Sequence, residues 1–432
     1  MTGGFRTFEL SGGPKLHVLP TTKFKTVVVK LFFRKALDDE TTLSALTPFV
    51  LRRGTRSMPT TQALARRLEE LYGARLSADV AKIGETQAVE TFLEVLAERF
   101  AVNGTGSLLE AAVKTLAEVV FEPVLEQGVF KPSYVEQEKE ILRRRLEGII
   151  NNKRQYAILR CIEEMCQGEP FAIHRYGKVE DLPEITPGNL FDHYGRILSG
   201  APMDLFVMGA VEPEEMEDLF SSTLPTSHPA ERAALAPGVT GVPRTGPAGT
   251  PRTVEEEQEV NQGVLAMGFR TGVRYPDDEY PALCVQNGIL GGFPHSKLFV
   301  NVREKASLAY FAYSRLEPTK GVMIVSAGID PGKYERAVSI IQDQLDALTK
   351  GDISDYELEA TKKALVSGLR TAEDDPSRVI DSYQTGLVNG RIRPFEEMAS
   401  DISRVGREEV VEVSKRLRLD TVYFLRPARM PA

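Results

Sequence analysis

The chain has few of the side chains that most often carry metal or redox chemistry. Its 432 residues include only three cysteines and five histidines. An odd number of cysteines cannot be fully paired in disulfides, which fits a reducing compartment such as the cytoplasm. Cys161 and Cys166 lie five residues apart in a predicted helix, and this spacing turns them away from a common face, so a zinc site there is not expected. Together with Cys284 they are interpreted as buried apolar side chains.

The histidines do not form a metal-ligand pattern. No two of them have the spacing that places two ligands on one face of a helix, and they are His17, His174, His193, His228 and His295. Because zinc requires several nitrogen, sulfur or carboxylate ligands converging at about 2 Å, no metal and no other cofactor is expected in this chain.

Long apolar runs and an excess of positive charge are also absent. No segment approaches the roughly 18 apolar residues of a membrane span, and the opening MTGGFRTFEL does not have the pattern of a secretory signal. The net charge of -8 and the pI near 5.5 exclude a general nucleic-acid binder, which needs clustered positive charge. We therefore expect a cytoplasmic protein that binds neither membranes nor nucleic acids.

What the chain does contain is typical of a globular protein with two or three domains. Hydrophobic residues make up 42% and charged residues 26%. The segment Leu224–Thr253 is rich in Pro, Gly, Ala and Thr, a composition that supports neither helix nor strand. It predicts a linker over 224–253, between an N-terminal domain over 1–223 and a C-terminal domain over 254–432.

The two halves have the same order of predicted elements. Each half opens with a β-rich segment, continues through two helices into a strand, and later has a long helix and a final strand. The first half supplies Thr26–Arg34, Leu43–Leu51, Thr61–Tyr72, Gly73–Val80, Ser133–Ile150 and Met203–Ala210. The second supplies Gly263–Arg270, Tyr280–Leu290, Ser296–Lys305, Ser307–Arg315, Asp355–Arg370 and Thr421–Leu425. Strands without regular strand–helix alternation predict a duplicated α+β fold, with helices layered on one face of each sheet.

One predicted helical segment looks like a catalytic helix but lacks catalytic side chains. Ser44–Thr55 reads SALTPFVLRRGT, and it contains no group that binds a metal or transfers a proton. Leu46, Phe49 and Val50 are its candidate core residues.

A second segment offers polar groups suited to a carbonyl oxygen. In Asn301–Ser314, NVREKASLAYFAYS, Arg303 lies near the end of a predicted helix and Tyr310 follows in a strand. A guanidinium and a phenol hydroxyl are both hydrogen-bond donors that can stabilise an oxyanion or bind a peptide carbonyl. The residues alone leave a second interpretation open, in which the Arg is salt-bridged to a helix neighbour and the Tyr is a half-buried strand residue.

At these residues the chain resembles the insulinase-type (pitrilysin, M16) metallopeptidases, over nearly its full length. That family has duplicated α+β domains of the LuxS/MPP-like kind, each a mixed or antiparallel sheet with helices on one face. Its first domain carries the zinc motif H-x-x-E-H, followed by a segment ending in Gly-Thr. Aligning on Gly54-Thr55 places Ala45 and Phe49 at the two zinc histidines and Pro48 at the general-base glutamate.

The third ligand position of the family is also substituted. The family has the last Glu of a segment like E-R-x-V-V-x-x-E, and the matching run here is Glu138–Arg145, EKEILRRR, which ends in Arg145. The resemblance therefore implies a degenerate zinc site at Ala45, Pro48, Phe49 and Arg145, so that the chain is not a peptidase on its own.

The second half keeps the family pattern. Its segment LFVNVREKASLAY is similar to the family's L-F-x-x-V-R-E-K-x-x-L-A-Y, which places Arg303 and Tyr310 at positions that contact substrate and stabilise the reacting carbonyl. Some members divide the work between two chains. This chain resembles the zinc-less kind, in particular a bacterial branch associated with aminopentanol modification of elongation factor P.

The resemblance thus implies a non-catalytic subunit of a heterodimeric zinc peptidase acting on small or unfolded peptides. The partner would carry H-x-x-E-H and the zinc, and this chain would supply Arg303 and Tyr310 in trans. Peptide is expected to add as a strand to a sheet edge, either Gly263–Arg270 or Gly73–Val80. The alternative is a retired peptide-binding protein or scaffold, such as a homodimeric clamp, with no role in proteolysis.

Overall fold

The fold consists of two sheet-and-helix units. A computed structural model describes residues 4–101, 107–225, 250–260 and 262–428. The first unit lies within Met1–Glu147 and Ile173–Ala236, and the second within Gly148–Ala172 and Pro237–Ala432. In the described part of the chain, no helix has both the length and the apolar character needed to span a bilayer. Most of the predicted linker 224–253 falls outside the described residues.

The elements follow one another in this order along the chain. The strands are β1 Arg6–Glu9, β2 Lys15–Pro20, β3 Thr26–Ala36, β4 Arg75–Ile83, β5 Thr86–Leu96, β6 Leu125–Glu126, β7 Val129–Phe130, β8 Met203–Gly209, β9 Arg252–Gln258, β10 Gly263–Arg270, β11 Ala309–Glu317, β12 Val322–Ile329 and β13 Arg418–Pro427. The α-helices are α1 Thr41–Leu51, α2 Thr61–Glu70, α3 Leu108–Phe121, α4 Pro132–Glu147, α5 Lys153–Met165, α6 Pro187–Gly200, α7 Pro213–Thr223, α8 Tyr280–Asn287, α9 Tyr334–Thr349, α10 Asp355–Ala372, α11 Pro376–Asn389, α12 Phe395–Arg404 and α13 Arg407–Arg416. Two further segments, Gly288–Gly292 and Phe299–Lys305, are π-helical.

The first unit is built on a mixed sheet of six strands. The strand order is β1-β2-β8-β3-β5-β4, in which β2 and β8 are parallel and the other neighbours antiparallel. The strand β3 is buried along most of its length because Val, Leu and Phe fill it. Helix α1 packs into the core of this unit through Leu46, Phe49 and Val50, which confirms the predicted inward residues.

The second unit is built on a mixed sheet of five strands. Its order is β11-β12-β10-β13-β9, with β13 and β9 parallel. The central strand β10 has the bounds that the sequence predicts, and all eight of its residues are buried. A mixed α+β fold with two similar domains is therefore confirmed.

Both faces of the second sheet are covered, which differs from the one-sided layering that the sequence predicts. Leu265 and Met267 of β10 face the main helical core, whereas Val264 and Ala266 face α5. The strand is apolar at consecutive positions, as strands buried on both faces are. Helix α5 covers this face because Ile158, Ile162 and other apolar residues at helical spacing form one side of it.

The segment 148–172 therefore belongs structurally to the second unit, although it lies within the first half of the sequence. Its attachment is also electrostatic, since the Glu169 carboxylate accepts hydrogen bonds from Arg270 at 2.7 and 3.1 Å. Buried Arg270 also donates to Asp420 at 3.0 Å. Burial alone would raise the pKa of Glu169, but hydrogen bonds from Arg270 and Lys320 hold it below its usual value. The predicted domain bounds 1–223 and 254–432 stay a prediction.

The interior position of β10 excludes one of the two predicted peptide-binding edges. Since β10 pairs with β12 on one side and β13 on the other, it has no free backbone edge, and that prediction is wrong. The segment Gly73–Val80 corresponds to β4, which does lie at the edge of the first sheet.

Candidate functional site

Three of the four degenerate zinc positions lie on α1. Ala45 and Phe49 are buried in the core, and Pro48 lies inside the helix. The helix ends in a tight turn that needs a glycine, since Gly54 has φ +155° and a Cβ there would lie 2.6 Å from the Met58 carbonyl oxygen. The Arg-Gly-Thr ending of the motif thus has a structural role in this chain.

The fourth position, Arg145, lies on α4 and contacts α1 directly. Its guanidinium carbon is 4.7 Å from the centre of the Phe49 ring and 5.0 Å from the centre of the Tyr176 ring. Two residues at positions that the resemblance assigns to zinc ligands therefore pack against each other as a cation–π pair.

The residues at this position do not fit a zinc ion. Alanine and phenylalanine have no lone pair to donate, and arginine is a donor-only cation that is not deprotonated in proteins. Throughout the described ranges, no group of three or more His, Cys, Asp or Glu residues is arranged to hold a metal ion.

A buried carboxylate lies on the same helix, seven residues before Arg145. Glu138, the first residue of EKEILRRR, is buried on α4 and accepts a hydrogen bond from Arg53 Nε at 2.5 Å. This ion pair ties the end of α1 to α4, so the spacing between the two helices is held without a metal.

The loop 173–178 brings Tyr176 to the same place. Its backbone is fixed by hydrogen bonds from Gln87 to the Arg175 carbonyl at 2.7 Å and from the Lys178 amide to Thr42 at 3.1 Å. Gly177 has φ +75°, and a Cβ there would overlap Thr42 on α1. This close approach explains why a glycine follows Tyr176.

Two further arginines extend the stack. The guanidinium carbon of Arg52 lies 5.5 Å from the Phe49 ring centre, and that of Arg175 lies 4.6 Å from the Tyr176 ring centre. We call this group the arginine–aromatic ladder, and its members in order of contact are Arg52, Phe49, Arg145, Tyr176 and Arg175. The sequence does not predict this ladder, because Tyr176 is remote along the chain from both helices and no motif marks it.

A buried histidine also joins α1 to α6. His193 is fully buried, with Nε2 2.9 Å from the Ser44 hydroxyl and Nδ1 3.3 Å from a Glu40 oxygen. Burial lowers the pKa of His193 to about 4, although the nearby Glu40 carboxylate opposes this shift. The order Ser–His–carboxylate is that of a hydrolase triad, but Ser44 is fully buried, so the group stabilises the fold and has no substrate access.

Arg303 has a different environment in the second unit. It lies in the π-helical segment Phe299–Lys305, is exposed, and stacks over the Phe299 ring at 4.5 Å. Within the described residues it forms no hydrogen bond or salt bridge through its side chain. The interpretation of Arg303 as a salt-bridged helix residue is therefore wrong.

Tyr310 lies at the start of the edge strand β11 and is 68% exposed. It occupies a β-bulge, because Ala309 pairs with Ile329 and Phe311 with Gly328, which leaves Tyr310 without an opposite residue. A bulge re-aims the side chain of the extra residue and is common near functional sites. The interpretation of Tyr310 as a half-buried residue is also wrong.

A short turn connects the two residues. Ser307 in this turn has φ +49°, and the Leu308 amide donates to the Val302 carbonyl at 3.1 Å. No hydrogen bond joins Arg303 to Tyr310 among the described residues. Arg303 thus lies in the segment that precedes β11 and Tyr310 at the start of that strand, and within the described ranges neither side chain donates to a protein acceptor.

The chain is similar in sequence to known proteins. The sequence profile described as "Peptidase M16 inactive domain" matches residues 184–365, a range that includes Arg303 and Tyr310. The chain is 38% identical over 417 residues to the probable inactive metalloprotease YmfF of Bacillus subtilis strain 168, with 96% of each chain covered.

The chain is also similar to solved structures. A conserved protein from Enterococcus faecalis V583 is 30% identical and superposes with a TM-score of 0.91, with 100% of both chains covered. A peptidase M16 inactive domain from Pseudomonas fluorescens, 20% identical, superposes with a TM-score of 0.78 over 99% of both chains, which shows the shared fold. The chain belongs to the M16 peptidase family and is one of its inactive metalloprotease homologues.

Proposed function

We propose that this chain is the substrate-binding, non-catalytic subunit of a heterodimeric zinc metallopeptidase. A partner of the same family would carry H-x-x-E-H, the zinc ion and the general base. This chain would contribute Arg303 and Tyr310, and the complex would cleave small or unfolded peptides in the cytoplasm.

The observation that carries the proposal is the contrast between the two candidate sites. In the first unit, Phe49 and Arg145, which the resemblance assigns to zinc-ligand positions, pack against each other. Arg303 and Tyr310 are exposed, and among the described residues their side chains have no hydrogen-bond or ion-pair partner. Exposed donors without a structural role are typical of a binding or catalytic surface.

The chemistry of these two groups suits a peptide carbonyl. In peptide hydrolysis, negative charge develops on the carbonyl oxygen, and donors already aimed at that oxygen lower the barrier. The Phe299 ring restricts the Arg303 side chain, and the bulge fixes the direction of Tyr310. Both features reduce the conformational entropy that would otherwise be lost on binding.

Peptide would be held in extended form along a sheet edge. In the first unit β4 lies at the edge of the sheet and, among the described strands, pairs with β5 alone, so its other side offers backbone donors and acceptors. Pairing through the main chain holds a substrate without requiring a particular sequence, which fits unfolded peptides.

The first test is the identity of the partner. The tagged chain, purified from its native host, is expected to bring down an H-x-x-E-H protein of the same family in equal amount, together with zinc. Self-association without such a protein would instead support the homodimeric scaffold. The link to elongation factor P stays a prediction, and mass spectrometry of that factor from cells lacking this chain would test it.

The second test is the activity of the mixed complex. Replacement of an oxyanion donor costs on the order of 100-fold in rate, so Arg303→Ala should lower cleavage of a fluorogenic peptide by about that factor while the complex still assembles. Arg336→Ala is the matched control, because Arg336 is an exposed helical arginine of the same unit. Full activity in the Arg303→Ala complex would contradict the proposed role.

A further inference from the structure

The arginine–aromatic ladder carries more positive charge than its surroundings neutralise. Arg145 has one acidic neighbour, Asp79, whose Oδ1 lies 3.9 Å from its Nη1. Arg52 and Arg175 have no carboxylate partner among the described residues of the chain. Among the described residues, the three guanidinium groups thus have one carboxylate partner in total, which contacts Arg145 and is itself half-exposed.

The ladder also has hydrogen-bond donors that the protein leaves unused. Nη1 of Arg145 is buried from solvent and has no hydrogen-bond partner, while 36% of the whole side chain remains exposed. The flanking Phe49 and Tyr176 rings restrict its orientation. A guanidinium held in this way binds a carboxylate through two parallel hydrogen bonds at little entropic cost.

Asp79 connects the ladder to the free edge of the first sheet, because it contacts the ladder and belongs to the edge strand. Asp79 belongs to β4, and the Tyr176 hydroxyl donates to its second oxygen at 3.3 Å. Since β4 is an edge strand, a peptide paired with it would carry every second side chain on the face where Asp79 meets the ladder. An acidic side chain there would meet the unneutralised arginines.

We infer that the former zinc position of the first unit is a recognition site for a peptide carboxylate, which gives this chain a preference for acidic peptides. The inference rests on the peptide-binding part of the proposed function, and it adds the class of substrate. It does not depend on Arg303 or Tyr310, which lie in the second unit.

The test measures binding to the full-length chain by fluorescence anisotropy. The probes are two labelled extended peptides, one alternating Thr with Glu and the other alternating Thr with Gln, at near-physiological salt. A charge-assisted bidentate contact should make the Glu peptide bind about tenfold tighter than the Gln peptide. The ratio should shrink at high salt, because the ladder is partly exposed.

Three variants connect the preference to the ladder. Arg145→Gln should bring the affinity ratio close to one, and Arg175→Gln should lower it in part. Because Arg175 is exposed, it remains informative even where Arg145→Gln weakens the fold, which thermal unfolding would reveal. Arg66→Gln is the control, since Arg66 is an exposed arginine of α2 outside the ladder, and it should keep the wild-type ratio.

The possible results distinguish a failure of this inference from a failure of the proposed function. Equal binding of both peptides to the wild-type chain would overturn the inference and leave peptide binding intact. Binding of neither peptide would overturn the inference together with peptide binding by the isolated chain. Inorganic phosphate is the competitor, and binding of phosphate at the ladder without any binding of the Glu peptide would show a site for small anions, which also contradicts the inference.

Discussion

Arg145 of the first unit and Arg303 of the second both stack on a phenylalanine, but their environments are opposite. Arg145 lies against a buried ring on another helix and contacts a second ring from a distant loop. In the described part of the chain, Arg303 stacks on one ring, that of Phe299, four residues earlier in its own π-helical segment. The first arginine joins separate parts of its unit, whereas the second contacts a residue of its own segment.

In the first unit, side chains join α1 to α4 at positions that the resemblance assigns to zinc ligands. A zinc ion would hold α1 and α4 together through ligands on both helices. Here the Phe49–Arg145 contact and the Arg53–Glu138 ion pair make that connection. In the second unit, Arg303 and Tyr310 are exposed.

The largest expected effect follows from the burial of Phe49. Phe49→Ala should lower the free energy of unfolding by about 3–5 kcal/mol, because it removes a buried aromatic ring and leaves a cavity. Tyr310→Ala should change it by less than about 0.5 kcal/mol, since that side chain is exposed. Chemical denaturation measures both values, and a small effect at Phe49 would contradict its place in the core.

Tyr310, which should contribute little to stability, should contribute strongly to activity. In the mixed complex, Tyr310→Phe should lower the cleavage rate by on the order of 100-fold, since it removes a single donor and leaves the ring. Tyr72→Phe is the control, because Tyr72 is also an exposed tyrosine but lies in the first unit. Equal rates for the two variants would show that the Tyr310 hydroxyl has no role in cleavage.

Much of this architecture could be predicted from the sequence, and the exceptions have physical reasons. The bounds of β10 follow from a continuous apolar run between polar segments. The location of α5 could not be predicted, because an amphipathic pattern shows that a helix has a buried side but not which sheet it covers. The apolar residues on both faces of β10 were a usable signal that a second layer was present.

The candidate site could also be predicted only in part. The family motif leads to Ala45, Pro48, Phe49 and Arg145, but it describes only what is lost. The contacts that replace the metal involve Tyr176 and Arg175, which come from a loop without a motif. Exposure of Arg303 and Tyr310 could not be predicted either, because it depends on a π-helical segment and a bulge that have no simple periodic pattern.

Two buried histidines of the first unit should make the chain less stable in acid. Burial lowers the pKa of His193 and of His174, both in the first unit, to about 4. In the unfolded chain these groups take up protons below about pH 6.5, whereas the native state resists until about pH 4. The free energy of unfolding therefore contains the whole contribution of these histidines above pH 6.5, and it falls as the pH is lowered toward 4.

The test is thermal unfolding of the wild-type chain and of His193→Gln from neutral pH down to pH near 4. Glutamine can keep hydrogen bonds to Ser44 and Glu40 without titrating. The variant should lose less stability than the wild type between these limits, because one of the two proton-linked groups is gone. Parallel pH profiles for the two proteins would contradict the lowered pKa of His193.

The smallest expected effect concerns the two stacked arginines themselves. Arg145→Ala removes contacts with two rings and should lower the free energy of unfolding by about 1–2 kcal/mol. Arg303→Ala removes one exposed contact and should change it by about 0.5 kcal/mol or less. Arg145→Met is the informative third variant, because its thioether can still pack between the rings and should recover part of the loss. Equal destabilisation by Arg145→Ala and Arg303→Ala would remove the distinction drawn between a structural and an available arginine.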